Sequence, residues 1–379
     1  VSARAAAARV VVVAPDCGDA RLAKRLVALR AAGAQLVVLS FDRGRCPAAA
    51  LPVPFLNLGA TRSEDYRQRL AALARAVPQL WRCRERLRGA RRVYAINVDC
   101  AALGLVVRLL ARSSPELVVE LADVQPVMTR RGPRSTALRL AERFVLRRTT
   151  LVVTTSPAYV REYLAAQGWR GPHLLLENRV HPPLPQEVRS RHAATSPGEP
   201  WRIGWFGDLR CRRSWEIMQQ VATSFEGRVQ FLLAGRPTMP GGDRFEAEVA
   251  ATRHVDYVGP YSYPDGLPAL YSSVHLNWCI DLTAEEGNSA WFLPNRLYEG
   301  GLFGVPALAR DATETGRWTR QRGTGLLLGH DLLGDLTRTL DTLTTSAWLT
   351  LRGRVTSLPV ETWQGTDQYD AFGRLLCAP

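Results

Sequence analysis

Short apolar runs recur along the chain, separated by segments whose apolar positions have helical spacing. "RVVVVAP" (9–15) is continuously apolar, as expected of a strand covered on both faces. "DCGDA" supplies turn residues, "RLAKRLVALRAAG" reads as a helix stopped at Gly33, and "AQLVVLSF" completes a βαβ unit. "RRVYAIN", "ELVVELAD" and "TLVVTTS" follow, with helix-patterned segments between them. This alternation predicts a parallel sheet with helices on both faces.

From about 181 to 200 the pattern lapses into "HPPLPQEVRSRHAATSPGEP", whose proline, serine and polar content predicts a linker. The alternation then restarts: "WRIGWFG", a helix at 213–223, "RVQFLLAG", "VDYVGP", a helix near 265–272, and "VHLNWCI". "PALA", "GTGLLL" and a helical tail complete it. The expected fold class is α/β, with two Rossmann-like βαβ domains in series, over 1–180 and 201–362. Residues 363–379 are expected to form a C-terminal helix packing back on the first domain. Ligands bind outside the carboxyl ends of the strands in such sheets, so a cleft between the domains is the expected site.

Composition narrows the function classes. With 379 residues, 46% hydrophobic and 22% charged, the chain is globular and large enough for two cores. No apolar run approaches the ~18 residues of a membrane-spanning helix. The start "VSARAAAAR" has no apolar core of the kind a signal peptide needs. The net charge of +14 is carried almost wholly by arginine, Lys24 being the only lysine. Such a charge reads either as solvated helix faces or as attraction to phosphates. Cys17, Cys46, Cys83, Cys100, Cys211, Cys279 and Cys377 are dispersed without a C-x-x-C pair. That argues for reduced thiols in a cytosolic setting and against a zinc site. No helix-turn-helix, zinc-finger or RNP pattern supports a nucleic-acid partner.

Several loops carry candidate chemistry. "IGWFGDLRCRRSWE" (203–216) leaves a strand and opens a helix, with Gly207 at the turn and Arg210, Arg212 and Arg213 beside it. Helix N-terminal N–H groups and guanidinium forks suit a diphosphate, although a tight turn with surface arginines has the same pattern. Neither a dinucleotide fingerprint nor an NTPase P-loop is present. "LAGRP" places Gly235, and "YVGPYSYPDGLPALY" places Tyr257, Val258 and Gly259, at further strand ends. "WFLPNRLYEGGLFGVPALA" (291–309) puts Asn295, Arg296, Leu297 and Glu299 at the start of an apolar helix, ahead of Gly300 and Gly301. In the first domain Asp123 stands just past "ELVVEL", as a general base facing a site or as the cap of the next helix. "TTSPAYVREYL" reads as a helix start with Ser156 as N-cap. Two arginine-rich amphipathic stretches, within 67–92 and 129–148, suit either an ordinary surface or anionic lipid.

The motifs "GWFGDLRCRRS", "YVGPYSYPDGLPALY", "NSAWFLPNRLYEGGLFGVPALA" and "GTGLLL", with "TTSPAYVREYL" and "ENRV" ending the first domain, resemble the GT-B glycosyltransferases of family 4. The resemblance spans nearly the whole chain and is nearest to the succinoglycan-biosynthesis type of bacterial exopolysaccharide enzymes. It implies a nucleotide-sugar co-substrate, UDP-linked, bound by the second domain, and no separate cofactor. Gly207, Arg210 and Arg213 would lie at the diphosphate, with Gly235 on the same rim and Tyr257, Val258 and Gly259 at the base. Asn295, Arg296 and Leu297 would face the phosphates or sugar, and Glu299 the ribose. Asp123 would deprotonate the hydroxyl of a saccharide acceptor, one carried on a polyprenyl diphosphate at the inner membrane face being expected. Trp291 stands where relatives keep another glutamate, so anomeric retention or inversion stays open, and Asp208 stands where many have arginine. No metal is implied, because arginines supply the charge that an Asp-x-Asp-bound ion would. A nucleotide-sugar epimerase and a non-catalytic saccharide-binding subunit are the alternative readings of the same fold.

Overall fold

The computed structural model describes residues 7–44, 53–61, 66–190 and 198–378. They form two compact units, Val1–Glu177 with Thr366–Pro379, and Asn178–Gly365. The stretch expected to be a linker counts with the second unit and carries a short helix, Gln186–Ser190. Its residues 191–197, the first six residues of the chain and Cys46 lie outside the described residues.

The first unit holds seven strands: β1 (Arg9–Ala14), β2 (Gln35–Asp42), β3 (Phe55–Ala60), β4 (Arg92–Ile96), β5 (Glu116–Leu121), β6 (Leu151–Thr154) and β7 (His173–Leu175). All pair in parallel, in the order β3-β2-β1-β4-β5-β6-β7. The continuous apolar run of β1 has a direct cause. Val11 and Val13 face one helix layer with Leu103 and Val107, whereas Val10 and Val12 face another with Leu22, Leu26 and Phe372. Sequence periodicity misses β3 and β7, which lie at the two edges of the sheet. "FLNLGA" lacks an apolar run and β7 has only three residues. Helix Thr366–Cys377 packs on helix Ala20–Ala31, where Gly373 lies against the Ala28 carbonyl and the Ala32 methyl.

The second unit holds β8 (Trp201–Leu209), β9 (Val229–Pro237), β10 (Val255–Tyr257), β11 (Leu276–Trp278), β12 (Ala307–Arg310) and β13 (Gly325–Leu328). Their order is β10-β9-β8-β11-β12-β13, again all parallel. Five buried tryptophans, Trp201, Trp205, Trp215, Trp278 and Trp348, pack in one cluster with Ile203, Leu233 and Leu308.

The segment after β6 starts with Ser156, whose hydroxyl accepts from the Ala158 N–H at 3.3 Å, and winds through a π-helical turn at Tyr159–Leu164. Tyr163 of that turn donates to the buried carboxyl of Glu142 at 2.5 Å. Burial outweighs this bond and the nearby Arg143, pushing the Glu142 carboxyl up from 4.5 to about 7. The folded chain therefore holds a proton that the unfolded chain releases, and stability falls as the pH rises from 4.5 to about 7. The expected loss is on the order of 3 kcal/mol at most. Glu142→Gln should flatten this fall in denaturant titrations and leave the protein more stable than wild type at pH above the window. An unchanged slope in the variant would refute the assignment.

Candidate active site

In each sheet the chain reverses direction of travel at one place, between β1 and β4 and between β8 and β11. The loops leaving such a pair diverge to opposite faces, so a crevice opens at the carboxyl ends of the strands. The side chains that gather there in the second unit are largely charged.

Beyond β8 stands Arg210, and beyond β11 stands Asp281, only 4% exposed. The Arg210 Nε donates to Asp281 at 2.7 Å. Asp281 also accepts from the Ser289 hydroxyl at 2.6 Å, the Thr283 hydroxyl at 2.5 Å and the Thr283 N–H at 3.0 Å. Burial works to raise its carboxyl, but Arg210 and the two hydroxyls prevail and hold it well below the usual carboxylate range. Asp281 thus stays ionised, and it fixes both Arg210 and the loop leading to helix Asn288–Trp291.

Helix Asn295–Leu302 begins after Pro294, whose extended backbone precedes a first turn with no side-chain cap. Half-buried Asn295 opens it, and Leu297 points into the apolar core. Arg296 is buried at the divergence of β8 and β11. Its guanidinium makes only long contacts to the carbonyls of Phe206 (3.4 Å) and Ile280 (3.5 Å), and its Nε–H has no partner among the described residues. Glu299, one turn on and 3% exposed, accepts from the Tyr271 hydroxyl at 3.0 Å. Burial first, and then the Glu299 charge, push the phenols of Tyr271 and Tyr261 well up. Burial and Glu299 likewise raise the Cys279 thiol to about 12 against the opposing pull of Arg296.

The paired glycines now have a steric cause. A Cβ on Gly300 would lie 2.4 Å from the Asn277 side-chain nitrogen, and one on Gly301 2.1 Å from the Trp363 ring. Only glycine lets the helix approach closely enough for Asn277 to donate to the Arg296 carbonyl at 2.5 Å. A cavity of about 330 Å³ opens at the far end of this helix, lined by Phe303, Gly304, Arg352 and Trp363.

The rest of the predicted rim is built on backbone. Gly207 and Gly235 are register partners in β8 and β9, and a Cβ on Gly235, whose φ is +129°, would sit 1.7 Å from the Gly207 carbonyl oxygen. The Tyr257 hydroxyl donates to the Gly235 carbonyl at 2.7 Å, and the Gly235 N–H donates to Gly259 at 2.8 Å. Val258 is exposed beside them. Arg213 lies farther out, largely exposed and paired with Glu285 at 3.1 Å, which also holds Arg310 at 2.5 Å. Asp208 accepts from the Thr238 hydroxyl at 2.8 Å.

In the first unit Asp123 does not cap the next helix, whose N-cap is Gln125. Its carboxylate instead receives Arg21 at 3.4 Å, and Arg21 also meets Asp19 at 3.2 Å. Asn97, just past β4, accepts through its side-chain oxygen from the N–H groups of Ala122 (3.2 Å) and Asp123 (3.4 Å). Among the described residues, Asp16, Cys17 and Asp42 are the one group whose metal-ligand-type atoms lie within 4.8 Å of one another. Two of these carboxylates accept from loop N–H groups, Gly18 at 3.1 Å and Gly44 at 2.7 Å.

Sequence reasoning missed Asp281, Tyr261, Tyr271 and Asn97. Asp281 carried the signal that exposed Asp123, a carboxylate just past an apolar strand, and could have been found by it. The two tyrosines and Asn97 acquire their places only through the fold.

No protein-family model matches the chain. Among solved structures, the sucrose-phosphate synthase (tll1590) from Thermosynechococcus elongatus superposes with a TM-score of 0.68 at 16% identity, over 97% of this chain and 98% of that one. Alr3699/HepE of Anabaena, solved in complex with UDP-glucose, does so with a TM-score of 0.68 at 14% identity, over 98% of this chain and 100% of that one. At this identity the likeness concerns the fold, which is GT-B. The sequence is 32% identical to the succinoglycan biosynthesis protein ExoL of Rhizobium meliloti (strain 1021), over 94% of this chain and 89% of that protein. The chain is a member of that protein's family.

Proposed function

We propose that the protein transfers a sugar from a UDP-sugar to a saccharide acceptor in polysaccharide biosynthesis, with the donor on the second unit and the acceptor on the first. The observation that carries this reading is Arg296, a buried guanidinium with unspent donors at the divergence of β8 and β11. Such a group calls for an anion, and Arg210, fixed by Asp281, supplies a second cation for a diphosphate. Glu299, an acceptor-only group three residues along, suits the ribose hydroxyls of the same nucleotide. That Alr3699/HepE was solved with UDP-glucose, and that ExoL serves succinoglycan biosynthesis, support the choice of donor and pathway class.

In the transfer, the acceptor hydroxyl gives its proton to the Asp123 carboxylate and its oxygen bonds to the anomeric carbon. The bond from that carbon to the diphosphate breaks, and the nucleoside diphosphate leaves with the electron pair. Arg210 and Arg296 stabilise the negative charge that develops on it. The test is a thermal-shift screen of UDP-, GDP- and ADP-sugars. A selective ligand at a hundred times its Kd stabilises the fold by about 2.7 kcal/mol. UDP-sugars are expected to raise the melting temperature most, and no shift with any nucleotide sugar would overturn the donor assignment. Release of an epimerised donor without acceptor would mark an epimerase instead.

The acceptor is proposed to be lipid-linked, with the first unit resting on anionic membrane. Among the described residues no helix is long and apolar enough to cross a membrane. Yet helix Pro133–Leu146 exposes Leu140 and Phe144 among Arg139, Arg143 and Arg147, and helix Tyr66–Arg82 exposes Leu70, Val77 and Trp81. Cationic faces carrying apolar side chains bind anionic surfaces. Sedimentation with vesicles of phosphatidylglycerol is expected to bring the protein down. Phosphatidylcholine vesicles should not, and equal binding to both would count against the electrostatic contact.

A further inference from the structure

We propose that Asn97 is a substrate-contacting residue of the first unit, its side-chain NH2 donating to hydroxyl oxygens of a neutral saccharide. This rests on the reading of that unit as the acceptor side.

Asn97 is the first residue past β4, at the place where β1 and β4 diverge and a ligand crevice is expected. Its backbone has φ 69° and ψ 160°, a region that is strained for any side chain and occupied readily only by glycine. It precedes helix Val98–Ala111 at the N-cap, where asparagine normally caps through its side chain, but it makes no such bond. The side chain is used elsewhere. Its oxygen accepts from the Ala122 and Asp123 N–H groups, while the backbone N–H of Asn97 donates to the Glu120 carbonyl at 2.8 Å.

These bonds decide which end of the amide is which. Both side-chain partners are N–H donors, so the oxygen must face them and the NH2 must face away. That NH2 has no partner among the described residues, and the residue is half-buried beside Asp123. Two donors are thereby held rigidly at the strand ends. Among the described residues, the carboxylates nearby outnumber their ion-pair partners: Arg21 pairs with both Asp19 and Asp123, and Arg69 pairs with Asp99. Uncharged amide donors beside the Asp123 carboxylate suit a neutral polyhydroxyl compound better than an anion. The strained backbone is what allows one residue both to brace the Asp123 loop and to present its NH2.

The test uses the full chain and a panel of cello-, laminari- and malto-oligosaccharides, with affinity read by saturation-transfer NMR. Asn97→Gly keeps the backbone conformation and relieves its strain, so the variant is expected to fold. It should bind the saccharide that wild type selects about two- to tenfold more weakly, the worth of one or two hydrogen bonds, and Asn97→Asp should do the same. Asn97→Asp keeps the oxygen that braces the Asp123 loop and removes only the NH2, so its saccharide affinity should fall while UDP affinity stays at the wild-type value, which a merely structural role for Asn97 would not predict. Unchanged saccharide affinity in Asn97→Gly, or no saccharide bound by wild type, overturns the proposal. So does a loss of inorganic phosphate binding in its place. Failure of the donor reading would appear separately, as absent UDP binding in wild type.

Discussion

Replacing Glu299 by alanine is expected to lower kcat/KM for UDP-glucose by about a hundredfold, with the fold preserved. The size follows from the chemistry: two hydroxyl donors to one carboxylate are together worth about 3 kcal/mol, or roughly two powers of ten in rate. The close packing of its helix is carried by Gly300 against Asn277 and Gly301 against Trp363. Glu299 accepts from the Tyr271 hydroxyl at 3.0 Å, and Tyr271 is also held by stacking on Phe303 with centroids 5.9 Å apart. Glu299→Gln retains one acceptor oxygen and should lose only about tenfold. Steady-state kinetics on both variants, with circular-dichroism melts as the control for folding, decide the matter. Wild-type kcat/KM in Glu299→Ala would remove the ribose assignment altogether.

The second unit shows what a sequence can and cannot disclose about such a site. Glu299, Arg296 and the two glycines stand together in one stretch, so their conjunction is local and legible. The apolar strands are legible for a similar reason, since burial on both faces of a parallel sheet forces an unbroken run such as "VVVV" in β1. Asp281 is legible only in its place just past an apolar strand, not in its partner. Its importance depends on Arg210, distant in sequence, and the two meet only because β8 and β11 are adjacent in the sheet. The arginine cluster at 210–213 was legible as a cluster, but not how its members divide. Arg210 turns to the strand divergence, Arg212 bonds Glu248 at 2.8 Å, and Arg213 reaches outward to Glu285. Strand β3 was illegible because "FLNLGA" has no unbroken apolar run, and β7 because it has only three residues.

Replacing Arg25 by methionine is expected to be the most destabilising of the substitutions considered, at about 3–5 kcal/mol. Arg25 and Glu120 are both fully buried and form a two-pronged pair, Nε at 3.0 Å and a terminal nitrogen at 2.9 Å. The other terminal nitrogen donates to the Tyr369 hydroxyl at 2.6 Å, tying in helix Thr366–Cys377, and Tyr94 donates to Glu120 from β4. Removing the cation alone strands a carboxylate in the core, and that penalty exceeds anything the pair itself contributes. The double variant Arg25→Met with Glu120→Leu should therefore recover most of the loss, because it strands nothing. Urea denaturation of the two variants distinguishes the cases, and an equal loss in both would mean that packing rather than charge sets the cost. The effect should also be confined. Glu120 lies in β5, whose end carries Asp123 and whose carbonyl at 120 receives the Asn97 N–H. A single substitution at Arg25 should weaken saccharide binding by the first unit at temperatures where UDP still binds the second with wild-type affinity. Loss of both together would show that the two units unfold as one.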